Sequence, residues 1–272
     1  MSSAIISPED LLKKLDTVKL IDASWGLPNS NVRIGNAVDF DIDEIADLDA
    51  QFTHTIPAPE FFAACVSALG ISNDDHVVVY DRMGMAMAAS RVWWMFRLYG
   101  HDNVQVLDGG LPAWVRTGYP LQSKSERPLV PGHFTSRFRP EMHKNGADVL
   151  ANLQSETFLV LDARDAQRYA GNVPEPRPGM EGGHIPGAVS APFQTLIDPA
   201  TGKFKTGAAL KAELAHVDMD KPIAVSCGSG VTACVVALAL HELGKEDAAI
   251  YGGSWQEWGG NPALPRTKGE KP

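Results

Sequence analysis

VVVYD (77–81) and IAVSC (223–227) are the two stretches on which the fold turns. Both are short, apolar and β-branched with no polar alternation, which suits parallel strands buried on both faces. Each leads through a loop into an apolar segment of helical length, RVWWMFRLYG (91–100) in the first case and VVALALHELG (235–244) in the second. Each then reaches another strand-like run, NVQVLDGGLPAW (103–114) and AAIYGGSWQEW (248–258). Gly100, Gly109 and Trp114 match Gly244, Gly253 and Trp258 at a constant offset of 144. Asp81 and Cys227 lie 146 apart, so the first copy has the longer loop.

Upstream, LIDASW (20–25) matches LVLDAR (159–164), and IGNAV (34–38) matches IPGAV (185–189). A repeat of this size is too large for a solenoid unit and describes two homologous domains. The Pro- and Ser-bearing stretch SKSERPLVPGHFTSRFRPE (123–141) reads as a linker between them. The predicted organisation is an α/β fold in two lobes, with a first domain at 1–122, a linker at 123–143 and a second domain at 144–272. Folds of this class bind ligands beyond the carboxyl ends of their strands, so the loops after Tyr80 and Ser226 are the places to look.

The 272 residues are 44% hydrophobic and 21% charged, a globular composition with core enough to need no metal or disulfide staple. The net charge of −9 is spread over both halves with no basic face, which makes nucleic acid and anionic membrane poor partners. An acidic chain that binds an anionic substrate must do so with a few local arginines. Three cysteines, Cys65, Cys227 and Cys234, are too few and too odd a number for a disulfide framework and point to a reducing compartment. The opening MSSAIISPEDLLKKLD has no apolar stretch of signal-peptide length, and the longest apolar run, Ala233–Leu240, is far short of a membrane span. The expectation is a cytoplasmic protein, or one whose targeting sequence has been removed.

The segment IAVSCGSGVTA (223–233) puts Cys227 just past a strand and just before a helix. Gly228, Ser229 and Gly230 let the backbone curl with its N–H groups inward, and such a nest at a helix N-terminus stabilises negative charge. A thiol there suits a nucleophile; a buried structural cysteine is the plainer alternative. Three rival readings of the loop fail. GSGVTA (228–233) fits a dinucleotide fingerprint, but the next strand ends in Gly252–Gly253 rather than an acid. A Walker loop lacks its lysine. A cysteine phosphatase needs an arginine to close the loop on phosphate, and position 233 is alanine.

The paired domains, the cysteine confined to the second, CGSGVT (227–232) and GHIPGA (183–188) resemble the rhodanese-type sulfurtransferases. Within that family the loop is most similar to the branch whose donor is 3-mercaptopyruvate. Thiosulfate-using members carry basic side chains after the cysteine, where Gly228 and Ser229 stand here. The resemblance covers nearly the whole chain. It implies two tandem rhodanese-like domains, each a central parallel sheet flanked by helices, with the active site in the interdomain cleft.

Between its LDA and IPG landmarks the second copy has 11 more residues than the first, and that insertion carries Arg168 and Arg177, two of the four arginines at 141–272. Arginine offers the planar fork that an α-keto acid's carboxylate wants. The resemblance places this pair on the pyruvyl end of the donor; surface arginines on a solvated loop are the alternative. It also implies a Ser229–His54–Asp43 relay, from FDID (40–43) and HTIP (54–57), although the stretch LPNSNVRIGNA (27–37) before it lacks the family's first-domain His-x-Pro-Gly form. The acids around Asp43 do not follow a calcium-loop pattern, since Glu44 and Ala50 stand where Gly and Glu are needed. Asp81 holds the nucleophile's place in the first copy and cannot carry sulfur, which makes that domain catalytically silent. Cys65 and Cys234 read as core.

The expected chemistry is a double displacement. Sulfur moves from 3-mercaptopyruvate to Cys227 as a persulfide cradled by the N–H groups of Gly228, Ser229, Gly230, Val231 and Thr232. It then passes to a thiol (thioredoxin or a small thiol) or to cyanide, with pyruvate released and no cofactor or metal required. A thiosulfate sulfurtransferase and a non-catalytic persulfide-binding module are the alternatives.

Overall fold

The computed structural model describes residues 3–28, 30–124 and 128–271, so residues 125–127 of the predicted linker lie outside the described residues. The chain divides into two compact units, one of residues 1–49, 56–139 and 198–204, the other of residues 50–55, 140–197 and 205–272.

The first unit contains β1 (Ile5–Ile6), β2 (Lys19–Asp22), β3 (Val32–Arg33), β4 (Val38–Asp39), β5 (Val77–Tyr80), β6 (Val104–Leu107) and β7 (Gln122–Ser123). Five of these form a parallel sheet in the order β1-β6-β5-β2-β4, while β3 and β7 make a separate antiparallel pair. The second unit contains β8 (His143–Lys144), β9 (Leu159–Asp162), β10 (Val189–Ser190), β11 (Ile223–Ser226) and β12 (Ala249–Tyr251). Its parallel sheet runs β8-β12-β11-β9-β10. Strand for strand this is the order of the first sheet, and the registers agree: Asp22 lies opposite Tyr80, and Asp162 opposite Ser226. The repeat in the sequence is a repeat of topology.

The two decisive stretches are the central strands β5 and β11, and every residue of both is buried. That is why they show no polar alternation. The helix after β5, Met87–Leu98, is buried along nearly its whole length. Its two charged residues lay their guanidinium groups over indole rings, Arg91 over Trp94 at 4.6 Å and Arg97 over Trp93 at 5.1 Å, which offsets part of the cost of burying them. The helix after the cysteine loop, Ala233–Glu242, has its first eight residues buried. It begins at Ala233, two residues before the apolar segment 235–244 read from the sequence, and is followed by Gly244 at φ +90°.

The compact units differ from the contiguous stretches 1–122 and 144–272 in two short segments and in where the stretch between them packs. The supposed linker is largely packed on the first unit. Gln122–Ser123 pairs with Val32–Arg33, Gly132 N–H donates to the Ser67 carbonyl, and Arg137 and Arg139 N–H groups donate to the carbonyls of Tyr99 and Leu98. Phe134 sits edge-on to Phe62 and Phe96 at 5.8 and 5.9 Å. Pro and Ser signal irregular backbone and say nothing of what it packs on. Two short segments also depart from contiguous domains. Residues 198–204 belong to the first unit, where the Phe204 N–H donates to Asp108, and residues 50–55 belong to the second.

Candidate active site

The cysteine loop is fixed from both ends. Cys227 follows β11 and is buried. Its N–H donates to Ser254 Oγ at 3.1 Å, and its carbonyl accepts the Trp255 N–H at 2.9 Å. The Gln256 N–H donates to the Gly228 carbonyl at 3.0 Å. The first turn of the short helix Ser254–Trp258 thus finds partners for its own N–H groups in the loop's carbonyls. Ser254 takes φ +51° to do so, at the position where the first copy has Gly110 at φ +55°. A left-handed residue with a side chain costs about 1–3 kcal/mol. What the second copy gains is a hydroxyl under Cys227.

Gly230, at φ +81°, turns its N–H onto Cys227 Sγ at 3.1 Å. Its carbonyl accepts the Cys234 thiol at 3.3 Å. Val231 is buried behind the loop, and Thr232 is the residue before the ten-residue helix whose N-terminus backs it. That N–H is a donor fixed on the sulfur by the turn of the loop. Cys234 is core, as expected. Cys65 is only half-buried, because Phe62 and Val66 form the inward face of its helix; burial pushes its thiol pKa up.

The same device stands in the first copy with an acid in it. Asp81 is buried, and its Oδ1 accepts the N–H of Gly84, three residues on as Gly230 is from Cys227, at 2.8 Å. Burial, and then the nearby Asp22 carboxylate, push its pKa up. The loop already holds its acceptor.

His54 lies in the second unit with Ser229, and both are buried. Its Nδ1 is 3.0 Å from Ser229 Oγ. The backbone at His54 is left-handed, φ +59°, a conformation that persists only where surroundings enforce it. Asp43 belongs to the first unit, where its carboxylate accepts the Trp25 indole N–H at 2.7 Å.

The arginines of the insertion reach the loop. A methyl group built on Gly228 would lie 3.4 Å from Arg168 Nη2 and 3.7 Å from Arg177 Nη1. Both guanidinium groups therefore stand over the residue next to Cys227. Arg168 lies on the helix Ala166–Ala170, capped by Asp165, and is held by Glu175, with Nη2 to Oε2 at 2.6 Å. Glu175 also takes Arg164 Nη1 at 2.9 Å, and Arg164 in turn binds Asp162 and the Gly183 carbonyl and lies over the Trp255 ring at 4.1 Å. Burial works against the Arg164 charge, but Asp162 and Glu175 outweigh it and hold its pKa above the ordinary value. Three arginines against two carboxylates leave one positive charge, the complement of one carboxylate. The site can hold a small anionic molecule by a planar end group beside a nucleophilic sulfur.

Cys227, Gly228, Ser229, Gly230, Val231, Thr232, His54, Arg168 and Arg177 are thus brought together in the second unit, and Asp43 lies in the other. Sequence reasoning missed Glu175, Arg164, Ser254 and Gln256. The acid of NVPEPR (172–177), between two arginines meant for a carboxylate, was the available signal for the first.

The rhodanese-like domain family matches residues 7–117 and again 146–261. The chain belongs to this family. It is 41% identical over 257 residues to the human 3-mercaptopyruvate sulfurtransferase, covering 89% of this chain and 84% of that one. It is 39% identical over 278 residues to the mitochondrial thiosulfate/3-mercaptopyruvate sulfurtransferase 1 of Arabidopsis thaliana, covering 91% and 73%. Among solved structures, the crystal structure of the 3-mercaptopyruvate sulfotransferase SseA from Escherichia coli superposes with a TM-score of 0.82 at 36% identity, over 93% of this chain and 99% of that one. The two domains are rhodanese domains, each a parallel sheet flanked by helices.

Proposed function

We propose that this chain is a sulfurtransferase that takes sulfur from 3-mercaptopyruvate onto Cys227 and passes it to a thiol or to cyanide. The observation that carries the reading is the pair of guanidinium groups over Gly228, beside a sulfur that accepts an N–H. Arg168 and Arg177 take the donor's carboxylate and keto oxygen, which sets its thiol sulfur against Cys227. The thiolate attacks that sulfur, the S–S bond forms, the donor's C–S bond breaks, and its electron pair leaves on carbon as the enolate of pyruvate. Ser229, hydrogen-bonded to His54, is the group that moves the proton the enolate needs. The Gly230 N–H steadies the persulfide. Acceptor thiolate or cyanide then attacks the outer sulfur and frees the Cys227 thiolate. We place this chemistry in the reducing cytoplasm, where Cys65, Cys227 and Cys234 remain the free thiols they are here.

Overall similarity does not choose the donor, since one relative's name carries both thiosulfate and 3-mercaptopyruvate. The test is initial rates of thiocyanate formation with the two donors on the same preparation. A higher kcat/KM for 3-mercaptopyruvate is expected; a higher value for thiosulfate overturns the donor assignment, and a single burst without turnover makes the chain a binding module.

A second test uses the arginines' own geometry. Gly228→Asp places a carboxylate one bond beyond a methyl that already lies in contact range of both guanidinium groups, so the protein supplies its own substitute for the donor's end group. KM for 3-mercaptopyruvate is expected to rise about tenfold or more with no loss of thermal stability, because a paired Arg–carboxylate fork must first be broken. Gly228→Ala, whose methyl has ordinary contact distances, should stay near wild type. Equal KM values for all three proteins would show that the donor does not use this pair.

A further inference from the structure

Gln256 makes three hydrogen bonds that converge on the site. Its backbone N–H holds the Gly228 carbonyl at 3.0 Å. Its side-chain amide closes a two-bond ring with Thr53: Oε1 accepts the Thr53 hydroxyl at 2.9 Å, and Nε2 donates to the Thr53 carbonyl at 2.9 Å. The next residue is His54, whose left-handed backbone delivers Nδ1 to Ser229 at 3.0 Å. A left-handed histidine relaxes to an ordinary conformation unless its neighbours are fixed. The Thr53 carbonyl belongs to the peptide unit that leads into His54, so a donor on that oxygen restrains the plane of the unit. A bidentate amide restrains it better than a single bond, since both atoms must be released together.

We infer that Gln256 is a positioning residue: its side-chain clamp on Thr53 holds His54 against Ser229, while its own N–H ties that clamp to the cysteine loop. The inference rests on the proposed role of Ser229 and His54 in protonating the enolate. It separates the two jobs of one residue, because any substitution at 256 other than proline keeps the N–H to Gly228 and removes only the clamp.

The clamp acts on proton movement and leaves the arginines alone, so its loss belongs in kcat and not in KM. Gln256→Leu is expected to lower kcat with 3-mercaptopyruvate about tenfold with KM within about twofold of wild type, the scale of one or two lost positioning hydrogen bonds. Thr53→Val, which keeps the carbonyl bond, should fall between. In a His54→Ala background Gln256→Leu should change nothing further, since a residue that works through His54 has nothing left to position. An undiminished kcat, or an equal loss in both backgrounds, overturns the inference. A readout without turnover keeps it apart from the functional reading. The ring-nitrogen NMR signals of His54, assigned by its absence in His54→Ala, should shift in Gln256→Leu; unchanged signals reject the clamp even if wild type proves inactive with 3-mercaptopyruvate. A shift in a protein without that activity supports the clamp and refutes the functional reading alone.

Discussion

Cys227→Ser is expected to lose sulfur transfer by roughly a thousandfold or more, because no other site residue can carry the transferred sulfur. A serine oxygen at 227 can still accept the Gly230 N–H, and the backbone bonds to Ser254 and Trp255 do not involve the side chain at all. The fold should therefore be retained, with unfolding free energy within about 1 kcal/mol of wild type. That separation of effects gives the experiment its force. Two measurements read it: thiocyanate formation, and the intact mass after incubation with donor in the absence of acceptor. Wild type should gain one sulfur atom and the variant none. Cys234 offers no substitute, since it is fully buried and its thiol is already bonded to the Gly230 carbonyl. A variant that still gained sulfur, or kept full turnover, would remove Cys227 from the reaction and the proposed mechanism with it.

What the sequence could and could not reveal follows from the range of the interactions involved. The strands at 77–80 and 223–226 and the duplicated sheet order were readable because buried parallel strands select apolar β-branched residues continuously. Cys227 was readable because strand, glycine-bearing turn and helix are contiguous. The units' real extents were not, because the places taken by residues 50–55, 128–139 and 198–204 are settled by hydrogen bonds to residues far away in the chain, Gln256, Ser67 and Asp108 among them. Gln256 illustrates this most plainly. In GGSWQEW (252–258) it looks like an ordinary polar residue of a short helix, and only the fold brings Thr53 to its amide. Left-handed Ser254 and His54 were hidden for a further reason: serine does not advertise such a conformation, histidine takes it more often than most residues but still rarely, and at both positions the surroundings impose it.

Glu175→Ala is expected to destabilise the second unit by about 3–5 kcal/mol, the cost of removing one partner from a buried ion cluster. The Glu175 side chain has 0% of its surface exposed and that of Arg164 has 1%, so water cannot replace what is lost. Arg164 keeps Asp162, but its Nη1 group faces the vacated space with its charge only half matched. Arg168, 22% exposed, is better placed to turn outward and recover hydration. That escape predicts the catalytic consequence. An arginine that has swung away no longer presents a fixed fork at Gly228, so kcat/KM for 3-mercaptopyruvate should fall together with stability. Glu175→Gln separates the two effects, since it fills the same space and keeps one acceptor oxygen while removing the charge. It should cost less stability than alanine, and Arg168, attracted less strongly, should still hold the donor less well than in wild type. Urea unfolding midpoints and donor KM values for both variants measure this. If alanine proved as stable as wild type, the cluster would be better solvated than its burial indicates, and Arg168 would not depend on Glu175 for its place over the cysteine loop.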